Sequence, residues 1–293
     1  MKPVLDLVSG PSRPSLAACE VLPGEAGAAP VILASPHSGS YYPDHFVAAL
    51  QVPLIDLRRT EDAFVDELFN PGEAGQVTRV MANYARSFVD LNRDARELDP
   101  NMFEDGVPRT SGLPSARVKA GLGCLPRIAA SGRQIHAGPL SQAEGAWRLD
   151  HVYDGYHERL GAQLSDLLSQ WSDVVLIDCH SMPSVQPGRG ALADIVLGDR
   201  FGSSCNGRLT RLVERAFRRH GLSVARNAPY AGGFTTRKYG RPRRGVHVLQ
   251  IEVNRGLYMD ELAVEKSAGF EKLQAILAAV IADICAYALR ENQ

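Results

Sequence analysis

The chain has 293 residues and a formal net charge of −1, with 45% hydrophobic and 22% charged residues. Those proportions describe an ordinary globular protein with a sizeable core, and a charge so near zero argues against nucleic-acid partners and an anionic membrane surface. Five cysteines (Cys19, Cys124, Cys179, Cys205, Cys285) are scattered without a CxxC pair, which argues against a disulfide framework or a cysteine-built metal site and fits a reducing compartment.

Residues 1–29, with Pro3, Pro11, Pro14 and Pro23, read as an irregular lead-in without a secretory apolar stretch. Val31–Ser35 is the first strong strand, ended by Pro36-His37-Ser38-Gly39. A helix is predicted over Glu61–Phe69, with Thr60 as N-cap and Asn70-Pro71-Gly72 as its stop. Val77–Ala82 and Ser87–Leu91 read as strands. Residues from about 98 to 145 lack periodicity and are rich in Gly, Pro, Ser and Arg, the composition of an ordered functional loop.

A helix from about Arg148 to Gln170 precedes the strand Val174–Cys179, which runs into His180. Ala193–Leu197 is a strand, Arg208–His220 a helix closed by Gly221, and Val246–Asn254 a strand after a basic, glycine-rich loop. Phe270, Leu273, Leu277, Val280, Ile281 and Ile284 recur at helical spacing in a last helix over roughly 260–290. Its apolar run, Ala275 to Leu289, is broken by Asp283 and reads as too short for a membrane span. Strands alternating with helices predict a single α/β domain over 1–293, and a cytoplasmic location is the expectation.

Three polar groups stand where a core-forming sequence would not place them cheaply. His37 and His180 each follow an apolar strand, where open α/β sheets collect their ligands. One such histidine is ordinarily a hydrogen-bonded rim residue. Two, with a carboxylate from Glu61 or Asp62, make the donor set of an open catalytic zinc site. Glu252 alternates with Ile251 and Val253 in an apolar strand. There it is either a carboxylate poised for proton transfer beside a metal or part of the solvated face of an edge strand. Arg93 and the run Arg237, Lys238, Arg241, Arg243, Arg244 offer guanidinium groups to carboxylates. His151 and His157 are six apart on a helix and cannot converge on one ion. Gly198–Gly207 carries no nucleotide fingerprint, and neither Ser38 nor Ser181 sits in a nucleophile elbow.

Ser-Pro-His-Ser-Gly, Leu-Arg-Arg-Thr-Glu-Asp, Asp-Leu-Asn-Arg, Asp-Cys-His-Ser-Met, the glycine-rich segment Tyr230 to Gly240, and Gly-Val-His-Val-Leu-Gln-Ile-Glu-Val-Asn-Arg-Gly-Leu-Tyr-Met occur in that order. Together they resemble the N-formylglutamate amidohydrolases. The resemblance implies a three-layer α/β fold with a central mixed sheet flanked by helices, like that of zinc carboxypeptidases and aspartoacylases. It implies one zinc ion per chain, or another divalent metal, held by His37, Asp62 and His180, with Asp62 favoured over Glu61. It makes Glu252 the general base, Asn92 and Arg93 the grip on a substrate carboxylate, and Gly232, Gly233 and Arg237 parts of the substrate site; Arg93 is also assigned to catalysis. One departure is that Asp62 lies far downstream of His37, unlike the compact His-x-x-Glu of carboxypeptidases. The expected reaction is hydrolysis of N-formyl-L-glutamate to formate and glutamate. The alternatives are a hydrolase of another small N-acyl amino acid or peptide, and an inactive small-anion or metal-binding protein. A small-molecule substrate is the expected partner, and no oligomeric state is implied.

Overall fold

The computed structural model describes residues 16–25, 27–72, 77–112, 115–186, 188 and 190–293. Seven strands build the central sheet: β1 Cys19–Leu22, β2 Val31–Ser35, β3 Thr78–Ala82, β4 Val174–Met182, β5 Ile195–Gly198, β6 Val224–Arg226 and β7 Val246–Asn254. Their spatial order is β1-β3-β2-β4-β7-β5-β6. β2 runs parallel to β3 and β4, β4 parallel to β7, and β5 parallel to β6, while β5 and β7 are antiparallel. The sheet is therefore mixed, helices flank it, and the chain is α/β. Every residue of β2, β4 and β7 is buried, as in parallel strands covered on both faces.

Two compact units can be distinguished. One contains His37–Ala63 and Ala82–Glu158; the other contains Val21–Pro36, Phe64–Met81 and Arg159–Gln293. In the second, the helix Phe270–Glu291 packs against the helix Gly207–Arg219, the short helix Val65–Leu68 and β2. Its buried residues include all six of the predicted apolar positions. This helix is 22 residues long and an 18-residue stretch of it has mean hydropathy 1.7, so by length and composition alone it could cross a membrane. By length and composition the expectation that the run falls short of a span is thus corrected, while 44% of that stretch is buried inside the protein. The first unit has short helices at Asp44–Ala48, Leu54–Arg58, Ala116–Lys119 and Gln142–Trp147. Its core holds Arg148, 1% exposed, with the guanidinium 4.1 Å from the Phe88 ring and 2.8 Å from Glu144. A buried charge at that depth persists because it is paired.

Several predicted elements move. Cys19–Leu22 forms an edge strand inside the expected irregular lead-in, whose residues 1–15 and 26 lie outside the described set. The helical run predicted from Arg148 begins at Gln142, where the Ser141 side chain accepts from the Glu144 N–H, and passes through a π-helical turn, Arg148–Asp154, into Gly155–Leu168. The predicted strand Ser87–Leu91 is a turn, because the Asp90 N–H is drawn to the Cys124 carbonyl rather than to a neighbouring strand. The helix predicted over Glu61–Phe69 shrinks to Val65–Leu68, preceded by Phe64 at φ 64°. Left-handed backbone at that residue breaks any helix entering from Thr60.

Candidate metal centre

Sheet register explains how residues far apart in sequence reach one end of the sheet. Ala34 of β2 is level with Asp178 of β4, and His180 of β4 is level with Glu252 of β7. Parallel strands put their carboxyl ends on one edge, and His37 leaves β2 two residues after its last position. His37, Asp62 and His180 each offer a donor atom, and these atoms lie within 4.8 Å of one another. The three residues are 2%, 1% and 2% exposed, so the cluster is almost wholly withdrawn from water.

Asp62 reaches this place from a turn and not from a helix start. Its N–H donates to the His37 carbonyl at 3.0 Å, which ties the turn to the end of β2. The neighbouring Glu61 is engaged elsewhere: Tyr42 Oη donates to it, and the Arg58 guanidinium lies 3.8 Å away. Of the two acids left open by local reasoning, Asp62 is the one brought to the histidines.

Each histidine is backed by a second carboxylate. His37 Nε2 is 2.7 Å from Asp90 Oδ1, and His180 Nε2 is 3.0 Å from Asp178 Oδ1. A carboxylate only accepts, so Nε2 of His37 carries a proton, and in the neutral ring, the form that binds a metal, its Nδ1 keeps a lone pair. In His37 that Nδ1 lies 3.5 Å from Asp62 Oδ2. Two lone-pair atoms facing each other in a buried place repel unless a cation is shared between them. Two imidazole nitrogens and one carboxylate oxygen are the donors a borderline divalent ion takes. The chain's own residues therefore fit a metal ion.

Arg86 completes the surroundings of His37. Its guanidinium is 2.9 Å from Asp90 Oδ2 and 3.6 Å from Asp62 Oδ1. Burial raises the Asp90 carboxyl, but His37, Arg86 and Arg93 outweigh that and hold it well below the ordinary carboxylate range. Asp90 also accepts the Asn92 N–H at 3.0 Å. Asp90→Asn is expected to weaken metal affinity about 10–100-fold while the fold persists. Competition against a graded chelator measures this, and an unchanged affinity would contradict the role given to Asp90.

Glu252 stands beside His180 on β7, between β4 and β5 in the sheet. It is 6% exposed, so the solvated edge-strand reading fails. Asn92 and Arg93 directly follow the aspartate that holds His37. Asn92 is buried, and the Arg93 guanidinium donates to the Asn92 and Leu122 carbonyls. The segment Gly232–Gly233 precedes the helix Phe234–Tyr239, which the sequence reads as loop. Gly233 donates its N–H to Gln250, two residues before Glu252. Arg237 is exposed, with its guanidinium 5.3 Å from the Phe234 ring centre. Arg86 lies outside the quoted motifs, and Asp90, Asp178 and Gln250 lie within them but receive no role from the sequence. Asp178 and Gln250 had one available signal: each lies two residues before a singled-out strand residue, hence on the same face.

A buried two-histidine, one-aspartate group at the carboxyl ends of parallel strands is the arrangement of α/β enzymes that work through a metal ion. The family follows from comparison with known proteins. A sequence profile of the N-formylglutamate amidohydrolases matches residues 29–259, and the chain belongs to that family. The N-formylglutamate deformylase of Pseudomonas aeruginosa is 30% identical over 252 residues, covering 83% of this chain and 87% of that protein. The N-formylglutamate deformylase of Pseudomonas putida is 28% identical over 250 residues, with 83% and 86% covered. The crystal structure of N-formylglutamate amidohydrolase from Ralstonia eutropha is similar with a TM-score of 0.88 at 33% identity, covering 94% of this chain and all of that one.

Proposed function

We propose that the chain hydrolyses the formyl amide of N-formyl-L-glutamate to formate and L-glutamate, with zinc held by His37, Asp62 and His180. The observation that carries this reading is the buried His–Asp–His cluster in a chain of the N-formylglutamate amidohydrolase family. A bound divalent ion supplies two things there: a water acidified toward neutrality, and a positive charge for the developing oxyanion.

The remaining work falls to side chains. Glu252 takes the proton from the attacking water and returns it to the leaving amine nitrogen, which prevents expulsion of an amide anion. Asp90 holds the His37 imidazole in one tautomer, and the Asp178 carboxylate lies 3.0 Å from His180 Nε2. Asn92, Arg93 and Arg237, with the Gly232–Gly233 segment, bind and orient the substrate carboxylates, the guanidinium forks providing two-pronged contacts. Arg93 also adds positive charge near the oxyanion.

Rates with N-formyl-, N-acetyl- and N-carbamoyl-L-glutamate test the substrate. The formyl compound is expected to have the highest kcat/KM; a strong preference for acetyl would overturn the choice.

A further inference from the structure

Gln250 is a polar residue buried in mid-strand that takes no part in the reaction just described. It is 3% exposed and shares a face of β7 with Glu252. Its side chain makes two short bonds in opposite directions. Gln250 Oε1 accepts the Gly233 N–H at 2.7 Å, and Gln250 Nε2 donates to Glu252 Oε1 at 2.7 Å.

The orientation of this amide is dictated by chemistry. A backbone N–H can only donate, so the oxygen must face Gly233, and the NH₂ is thereby turned toward Glu252. The glycine segment at the other end is itself closely seated. A Cβ on Gly198, which is level with Gln250 in the sheet, would lie 2.7 Å from the Gly232 nitrogen. Gly232 has φ 119°, and a Cβ there would come within 2.6 Å of Thr236 Oγ1. Thr236 in turn donates to the Gly233 carbonyl at 2.8 Å. The Gly233 N–H is thus a fixed donor, and the amide transmits that fixed position to one carboxylate oxygen of Glu252 through a charge-assisted bond.

We propose that Gln250 is the positioning residue of Glu252, locking its carboxylate in one orientation and coupling it to the glycine segment that precedes Arg237. This rests on the reading of Glu252 as the proton acceptor. The coupling matters because a proton acceptor displaced by about 1 Å can lose about 10²-fold in rate.

Two variants separate the two bonds. Gln250→Glu keeps an acceptor for the Gly233 N–H but sets a second carboxyl against Glu252, which repels it or shares a proton with it; Gln250→Met removes both bonds without adding charge. With the metal-loaded protein and N-formyl-L-glutamate, kcat is expected to fall about 10²-fold in each. Metal content should stay at wild-type level in both, KM should change little in Gln250→Glu, and KM should rise in Gln250→Met. A wild-type kcat in folded Gln250→Met, alongside an inactive Glu252→Gln, would overturn the positioning role and leave the base intact. A fully active Glu252→Gln would remove the base, and the positioning role with it.

Discussion

Glu252→Gln is expected to lower kcat for N-formyl-L-glutamate by about 10²–10⁴-fold, the range lost when a positioned general base is removed. The amide matches the carboxylate in shape, so a residue 6% exposed on a fully buried strand is replaced without a void. Glutamine cannot accept the proton of the attacking water or return it to the amine. The metal group does not include Glu252, so metal content should remain at wild-type level. The test is kcat at saturating substrate together with metal analysis of the same preparation. A wild-type rate with metal bound would assign the proton transfer to another group.

The second large effect is loss of the ion itself. His180→Gln removes one of three donors, and metal affinity is expected to fall by more than the roughly 10–100-fold that follows loss of an outer-shell partner. Hydrolysis should drop to background. A second readout is independent of turnover. A ligand that binds only the folded state adds about 2.7 kcal/mol at a concentration 100 times its Kd, so zinc should raise the melting temperature of the wild type and leave His180→Gln unmoved. The reciprocal variant His37→Gln should behave alike, because both rings belong to the same cluster. Equal zinc stabilisation of wild type and both variants would show that the ion is held elsewhere.

Elements whose signal is local were legible in the sequence. Val31–Ser35 and Val246–Asn254 coincide with their predicted bounds, and the Phe270–Glu291 helix buries the face that its periodicity marks. In each, the apolar pattern and the local backbone preference agree. Where the two were separated by a long-range contact, local reasoning failed. The Asp62 turn is held by the His37 carbonyl and the turn at Asp90 by the Cys124 carbonyl, partners that helix and strand propensities do not include.

Histidines at strand ends and a carboxylate inside an apolar strand are costly placements visible in one dimension, and that cost alone singles out His37, His180 and Glu252. With the family resemblance, the sequence also assigns Asp62. The company these residues keep is settled in three dimensions. Register sets His180 level with Glu252. Asp90 orients the His37 imidazole, Arg86 spans two aspartates, and Gln250 joins Glu252 to Gly233. Hydrogen-bond direction and strand register depend on chain segments tens to more than a hundred residues apart, and no local pattern of residue types encodes which of them will meet.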